Sequence, residues 1–147
     1  MKPRLPVLAV ILGAALFGGC NTYHYYDIDV KFVSPFTENE ASVMKLCLVE
    51  VSGAASDTLA FPGNDSTKPI CPPNTNYPDL GTFEYATFES SGQITFTLNA
   101  FYDAPPSSGN QCTSGATTLT ASDQITQTGT ITLTDFNATN CPLMISQ

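Results

Sequence analysis

Positive charge is scarce in this chain: five Lys and Arg stand against 13 Asp and Glu in 147 residues, a formal net charge of −8. That excludes a nucleic-acid backbone as partner, and it excludes electrostatic docking on anionic headgroups, because both need a basic face. Histidine occurs once, at His24, so an imidazole-based catalytic device has only one place to be built. No Cys-x-x-Cys pair occurs, which argues against zinc. No Gly-rich phosphate loop or dinucleotide fingerprint is present either. Charged residues make up only 12% of the chain, while 42% are hydrophobic and 10% aromatic. Such a balance buries a core and excludes wholesale disorder, and the length suits one domain.

What is present begins with an address. Lys2 and Arg4 precede an uncharged run from Leu5 to Gly19 rich in Leu, Val, Ile and Ala. This is the n-region and h-region of a secretory signal. A membrane-spanning helix needs about 20 apolar residues, and polar Asn21 and Thr22 interrupt too soon.

The run Leu16-Phe17-Gly18-Gly19-Cys20 resembles the lipobox of bacterial lipoproteins, with Phe17 standing where Leu is usual. The resemblance implies a cut before Cys20, a diacylglycerol on its thiol and acylation of the new amine. It also implies, from Asn21 in place of Asp, sorting to the outer membrane, on its periplasmic face or at the cell surface. The alternative is an ordinary signal peptide cut after Gly18, with Cys20 an incidental thiol. Cysteine parity favours the lipoprotein. Of Cys20, Cys47, Cys71, Cys112 and Cys141, one would carry lipid and four could pair in an oxidising compartment. Loss of Lys2 and Arg4 with the leader takes the formal charge from −8 to −10, so the body is expected to stand off an anionic leaflet.

Residues 20–26 then read as the lipidated cysteine and a short tether, its Tyr23, His24, Tyr25 and Tyr26 lying near the membrane interface or packing on the first strand. Residues 27–147 read as one all-β domain. Ile28, Val30 and Phe32 alternate with Asp27, Asp29 and Lys31, the period of a half-buried strand. Ser42–Val51 is more continuously apolar and suits a central strand covered on both faces. Asp57–Phe61, Thr82–Phe88, Gln93–Asp103, Ala116–Ala121 and Ile125–Phe136 complete seven candidates. Ten threonines between Thr113 and Thr139 favour pleated surface over helix, and no window predicts a stable helix; Glu38–Glu50, which starts with acids, comes nearest, but its later half reads better as a strand. Ser90-Ser91-Gly92 reads as a hairpin loop and Pro105–Asn110 as a longer exposed one.

These elements predict a single antiparallel β-sandwich with two disulfides, a small β-barrel being the alternative. The layout resembles immunoglobulin-like and transthyretin-like sandwiches of secreted bacterial proteins, without the Trp that marks antibody-type domains. Four cysteines allow three connectivities. Cys47–Cys71 with Cys112–Cys141 is favoured, because each bridge ties a strand or loop to a nearby Pro-flanked segment.

Chemistry-bearing clusters are few. His24 would sit on the tether, where precise positioning is difficult. Asp27 and Asp29 share a strand face about 7 Å apart, a spacing open to two-carboxylate hydrolysis or calcium, and equally that of a solvated edge. Asn64-Asp65-Ser66 and Asp79 near Gly81 are weak calcium candidates. Tyr102 and the loop Asp103–Cys112 form the best recognition surface. The expectation is therefore a non-enzymatic, lipid-anchored envelope protein, without cofactor or metal, acting as a structural or interaction module with other envelope proteins. A glycan- or calcium-binding module is the alternative, and a small carboxylate hydrolase a third.

Overall fold

The computed structural model describes residues 22–60 and 77–143. Its elements run β1 (His24–Phe32), α1 (Glu38–Ser42), β2 (Leu46–Gly53), β3 (Asp57–Ala60), β4 (Asp79–Thr87), β5 (Gln93–Phe101), β6 (Gln111–Thr120) and β7 (Thr126–Leu133). The strands form two sheets, ordered β4-β1-β7 and β3-β2-β5-β6. They face each other as a sandwich, and the all-β reading stands.

Period-two alternation builds the core. In β1, His24, Tyr26, Ile28, Val30 and Phe32 are buried while the residues between them face outward. From β5, Ile94, Phe96, Leu98 and Ala100 are completely buried, as are Ile131 and Leu133 of β7. Phe96 is the key of this interior. Its ring lies 5.7 Å from Tyr26, 6.0 Å from Phe83 and 5.6 Å from Tyr85, all three on the opposite sheet. Tilted and edge-on aromatic contacts at this spacing stabilise beyond simple area burial.

Several expectations are corrected. β1 begins at His24, so His24–Tyr26 are strand and not tether; alternation started three residues earlier than the apolar count suggested, because a histidine and a tyrosine supply the first inward positions. The sandwich is not wholly antiparallel. β1 pairs antiparallel with β4 but parallel with β7, Tyr25 opposite Thr126 and Phe32 opposite Leu133. Ser90-Ser91-Gly92 is not a hairpin loop, since β4 and β5 belong to different sheets and the chain crosses between them there. A helix does form where none was expected: α1 takes in Ser42, assigned from sequence to a strand. Thr37 caps it, its Oγ1 accepting from the Glu40 N–H at 3.3 Å, while Glu40 Oε2 accepts from the Thr37 N–H at 2.7 Å. This reciprocal pairing satisfies two donors at the helix start. β2 is covered on its outer side only near its beginning, at Leu46 and partly Leu48; Glu50 and Ser52 are exposed.

The sheets approach each other closely where β6 passes β7. A Cβ at Gly115 would lie 2.5 Å from the Thr132 carbonyl oxygen and 2.9 Å from the Leu133 side chain. Only glycine permits that approach. Cys112 and Cys141 form a disulfide, fastening the start of β6 to the segment after β7. Two bridges were expected. One closes between described residues; Cys47 is buried and also disulfide-bonded, while Cys71, its expected partner, lies outside the described residues.

Candidate functional site

Two ends of the sandwich follow from this topology. The end where β1 and β7 begin and β4 finishes is here called proximal, since Cys20 lies just upstream of it. The end where β1 and β7 finish and β6 starts is distal. At about 3.3 Å per residue, the nine residues of β1 separate the two by roughly 30 Å.

The chemistry-bearing residues singled out from sequence are scattered, and most serve structure. His24 is buried, with Nδ1 3.1 Å from the Gln124 carbonyl; in the tautomer protonated at Nδ1 it donates there and ties β1 to the turn before β7. Asp27 and Asp29 lie on the outer face of the three-stranded sheet. Asp29 Oδ1 accepts from the Thr82 hydroxyl at 2.7 Å, and Asp27 sits across from Glu84. Asp79 reaches Lys31 at 3.9 Å. Among the described residues no three His, Cys, Asp or Glu side chains gather as a metal ion would require. Asn64-Asp65-Ser66 and Cys20 lie outside the described residues.

The loop after β5 is where the structure brings candidates together. A register shift after Ala100 leaves Phe101 buried as well. Tyr102, half-buried, takes the Lys45 ammonium 4.9 Å from its ring centre, a cation–π contact.

Asn110 organises the loop. Its Oδ1 accepts from the Ser107 N–H at 2.9 Å, and its Nδ2 donates to the carbonyls of Asp103 and Pro105, each at 3.0 Å. Asn140 then joins this loop to the segment after β7, donating from Nδ2 to the Ser108 carbonyl at 2.8 Å and to Gln111 at 3.2 Å. Asn137 caps the same segment: its N–H donates to the Cys112 carbonyl, and its Oδ1 accepts from the N–H groups of Thr139 and Asn140. Three asparagines and a disulfide thus hold the distal loops, each amide bonding backbone groups there.

Between them opens a groove of about 680 Å³. Its polar lining includes Ser108, Gln111, Ser114, Asp135, Thr139 and Asn140, with Phe136 beside them. Thr113, also in the wall, is buried, and its hydroxyl has no hydrogen-bond partner among the described residues. Such a surface offers hydroxyls, amides, one carboxylate and one ring. It suits hydrogen-bonded recognition of a polar surface, not an apolar ligand. Sequence reasoning found the Asp103–Cys112 side of this groove but missed the 135–140 side, although Asn137 and Asn140 flanking the approach to Cys141 were a usable signal of an ordered turn.

What fold and site together define is a two-sheet β domain with a cross-linked, polar distal end. No family model matches the chain, and no curated protein matches it. Among solved structures it is similar to a fimbrial assembly protein from Parabacteroides distasonis, with 12% sequence identity and a TM-score of 0.39 over 76% of this chain. The chain spans about half of that protein, 52% of its length.

Proposed function

We propose that this chain is a non-enzymatic, lipid-anchored module of the bacterial cell envelope that presents its distal groove and loop to another envelope protein. The observation that carries the reading is the separation of the two ends. The chain enters the domain at the proximal end, immediately after the lipobox-like segment, and the ordered recognition surface lies at the opposite end of β1. An anchor at Cys20 would therefore hold the groove facing away from the membrane. Disulfide bonding at Cys112, Cys141 and Cys47 fits an oxidising, extracytoplasmic compartment. The engagement of His24 and Asp29 in structural hydrogen bonds supports an interaction role over catalysis.

Two measurements test this. The intact mass of protein extracted from membranes should match residues 20–147 plus three acyl chains, with alkylation of four cysteines only after reduction. A photo-crosslinking residue at Ser108 should capture a defined envelope partner, and the same residue at Glu84, on the sheet face, should not. An unlipidated mass, or equal capture from both positions, overturns the reading. The groove's hydroxyl and amide lining beside Phe136 favours a second reading, a glycan-binding module. Chemical-shift changes confined to Gln111–Ser114 and Asp135–Asn140 on titration with envelope oligosaccharides would establish it instead.

A further inference from the structure

Three of the exposed large apolar side chains gather at the proximal end. Tyr23 is 47% exposed, Phe88 47% and Ile125 61%. They come from three different strands or their flanks, brought together because β4 ends where β1 and β7 begin. The Tyr23 and Phe88 rings lie 3.8 Å apart between centres, and Tyr25 stands 6.4 Å from Tyr23. The Ile125 carbonyl accepts the Tyr25 N–H at 2.7 Å, which holds the Ile125 backbone at the same end of the sheet. The cluster is held by strand pairing on both sides of β1 and is open to solvent. Apolar residues scattered singly on a surface need no explanation, but rings from two adjacent strands stacked together in solvent call for one.

We infer that this cluster is a foot that seats the domain on the neutral, zwitterionic interface of a lipid leaflet, an inference that rests on lipid anchoring at Cys20. Covalent geometry supplies the first reason. Tyr23 is three residues beyond Cys20, so a fully extended chain spans at most about 10 Å, little more than the thickness of one headgroup region. An anchored domain cannot hold Tyr23 farther from the lipid than that. Side-chain chemistry supplies the second: tyrosine, with an apolar ring and a polar hydroxyl, is enriched at membrane–water interfaces, and Phe and Ile bury their apolar surface just below. Charge supplies the third and chooses the lipid. Glu89 and Asp123 flank the cluster in sequence. Lys31 and Lys45 lie toward the distal end, beside Asp79 and Tyr102. No basic side chain from the described residues faces the foot, so anionic headgroups repel it and neutral ones admit it.

The absence of tryptophan makes the test clean. Residues 20–147 would be coupled through the Cys20 thiol to a maleimide-bearing lipid in phosphatidylcholine vesicles, so that tethering does not depend on cellular processing. The indole introduced by F88W should shift to the blue and be quenched by brominated acyl chains at least about twofold more than that of V33W, an exposed position at the distal end. Part-replacement by phosphatidylglycerol should reduce quenching, and about 1 M salt should restore it. Hydrogen exchange of the unsubstituted coupled protein should show vesicle-dependent protection at residues 87–91 and 122–126, a second readout independent of F88W. Equal quenching of F88W and V33W, or none, overturns the foot. So does quenching that rises with phosphatidylglycerol, or protection that appears without vesicles through a concentration-dependent dimer. Native protein of unlipidated mass would instead sink the anchored reading, whichever way the coupled vesicles behave.

Discussion

At the proximal end, Tyr23, Phe88 and Ile125 stand in solvent, with Glu89 and Asp123 adjacent in sequence and His24 tying the first strand to the turn before the last. At the distal end Val33 is exposed, but the rings mostly turn inward: Phe36 stacks on Phe32 at 4.5 Å and meets Phe136 edge-on at 5.7 Å, and the Tyr77 hydroxyl donates to the Phe36 carbonyl at 2.6 Å. Over this packed layer the surface is amides and hydroxyls, cross-linked by Cys112–Cys141. One end keeps its rings outside and its loops short; the other packs most of its rings beneath the surface and spends a disulfide and three asparagines on ordering its loops. An apolar surface left bare is suited to a medium that is itself apolar, whereas a polar surface held rigid is suited to a partner that must be recognised group by group.

The comparison can be broken first through the layer that both ends share. Phe96→Ala empties the contact among Tyr26, Phe83 and Tyr85 and should cost about 3–5 kcal/mol. Both ends should then melt together in a denaturant titration followed by hydrogen exchange. Persistence of one end would show that the ends are separately stable.

Cys112→Ser with Cys141→Ser should act on one end only. For a loop with a sequence separation of 29, the chain-entropy model gives a loss of about 3–4 kcal/mol. The amides of Asn137 and Cys141, bonded to Cys112 and Asn137 carbonyls, should lose exchange protection, while those of Tyr25 and Ala121 keep theirs relative to the lowered global stability. Gly115→Ala forces β6 off the Thr132 carbonyl and should cost about 1–3 kcal/mol, read as a lowered urea midpoint at unchanged slope.

The smallest effect sharpens the comparison from the other side. The Tyr26 hydroxyl is buried without a hydrogen-bond partner among the described residues, and burial pushes its phenol above the ordinary value. Tyr26→Phe should therefore stabilise by about 1 kcal/mol. Because the fold holds the phenol proton more tightly than the unfolded chain does, this group's contribution is complete below about pH 10 and is lost as pH rises beyond it. The variant should show a shallower alkaline decline. Part of the slope should remain, since Tyr85 is also raised, by burial and then by Asp57 with a smaller part from Glu89.

Much of the fold was legible in the sequence because strands with one buried face write a period-two pattern. Along Gln93–Asp103 the alternation puts Ile94, Phe96, Leu98, Ala100 and Tyr102 on one face; the first four are buried together, while Tyr102 is only half-buried because the register shifts after Ala100. Local signals that went unread explain one miss: Thr37-Glu38-Asn39-Glu40 is a capping box, overlooked because the apolar run after it dominated the window. Other misses concern partners, which periodicity does not encode. Nothing in β1 announces that β7 lies beside it and parallel, and a turn of Ser, Ser and Gly looks the same whether the strands it joins pair or part. For the site, the Asp103–Cys112 loop was found from its Pro and Gly content. Of the facing 135–140 segment, Asp135 and Phe136 were read as the end of the strand Ile125–Phe136, since the threonines before them extend the strand pattern, and 137–140 were given no role.

The pairing of β1 carries a consequence for the order of events in a cell. Tyr25 lies against Thr126, about a hundred residues onward, and against Ala86, about sixty onward. None of the hydrogen bonds that make β1 a strand can form until most of the polypeptide has been synthesised, and contacts of such long range are slow to form. The three-stranded sheet therefore closes only when β7 emerges, after every other strand has been made, so the last strand synthesised completes the pairing of the first.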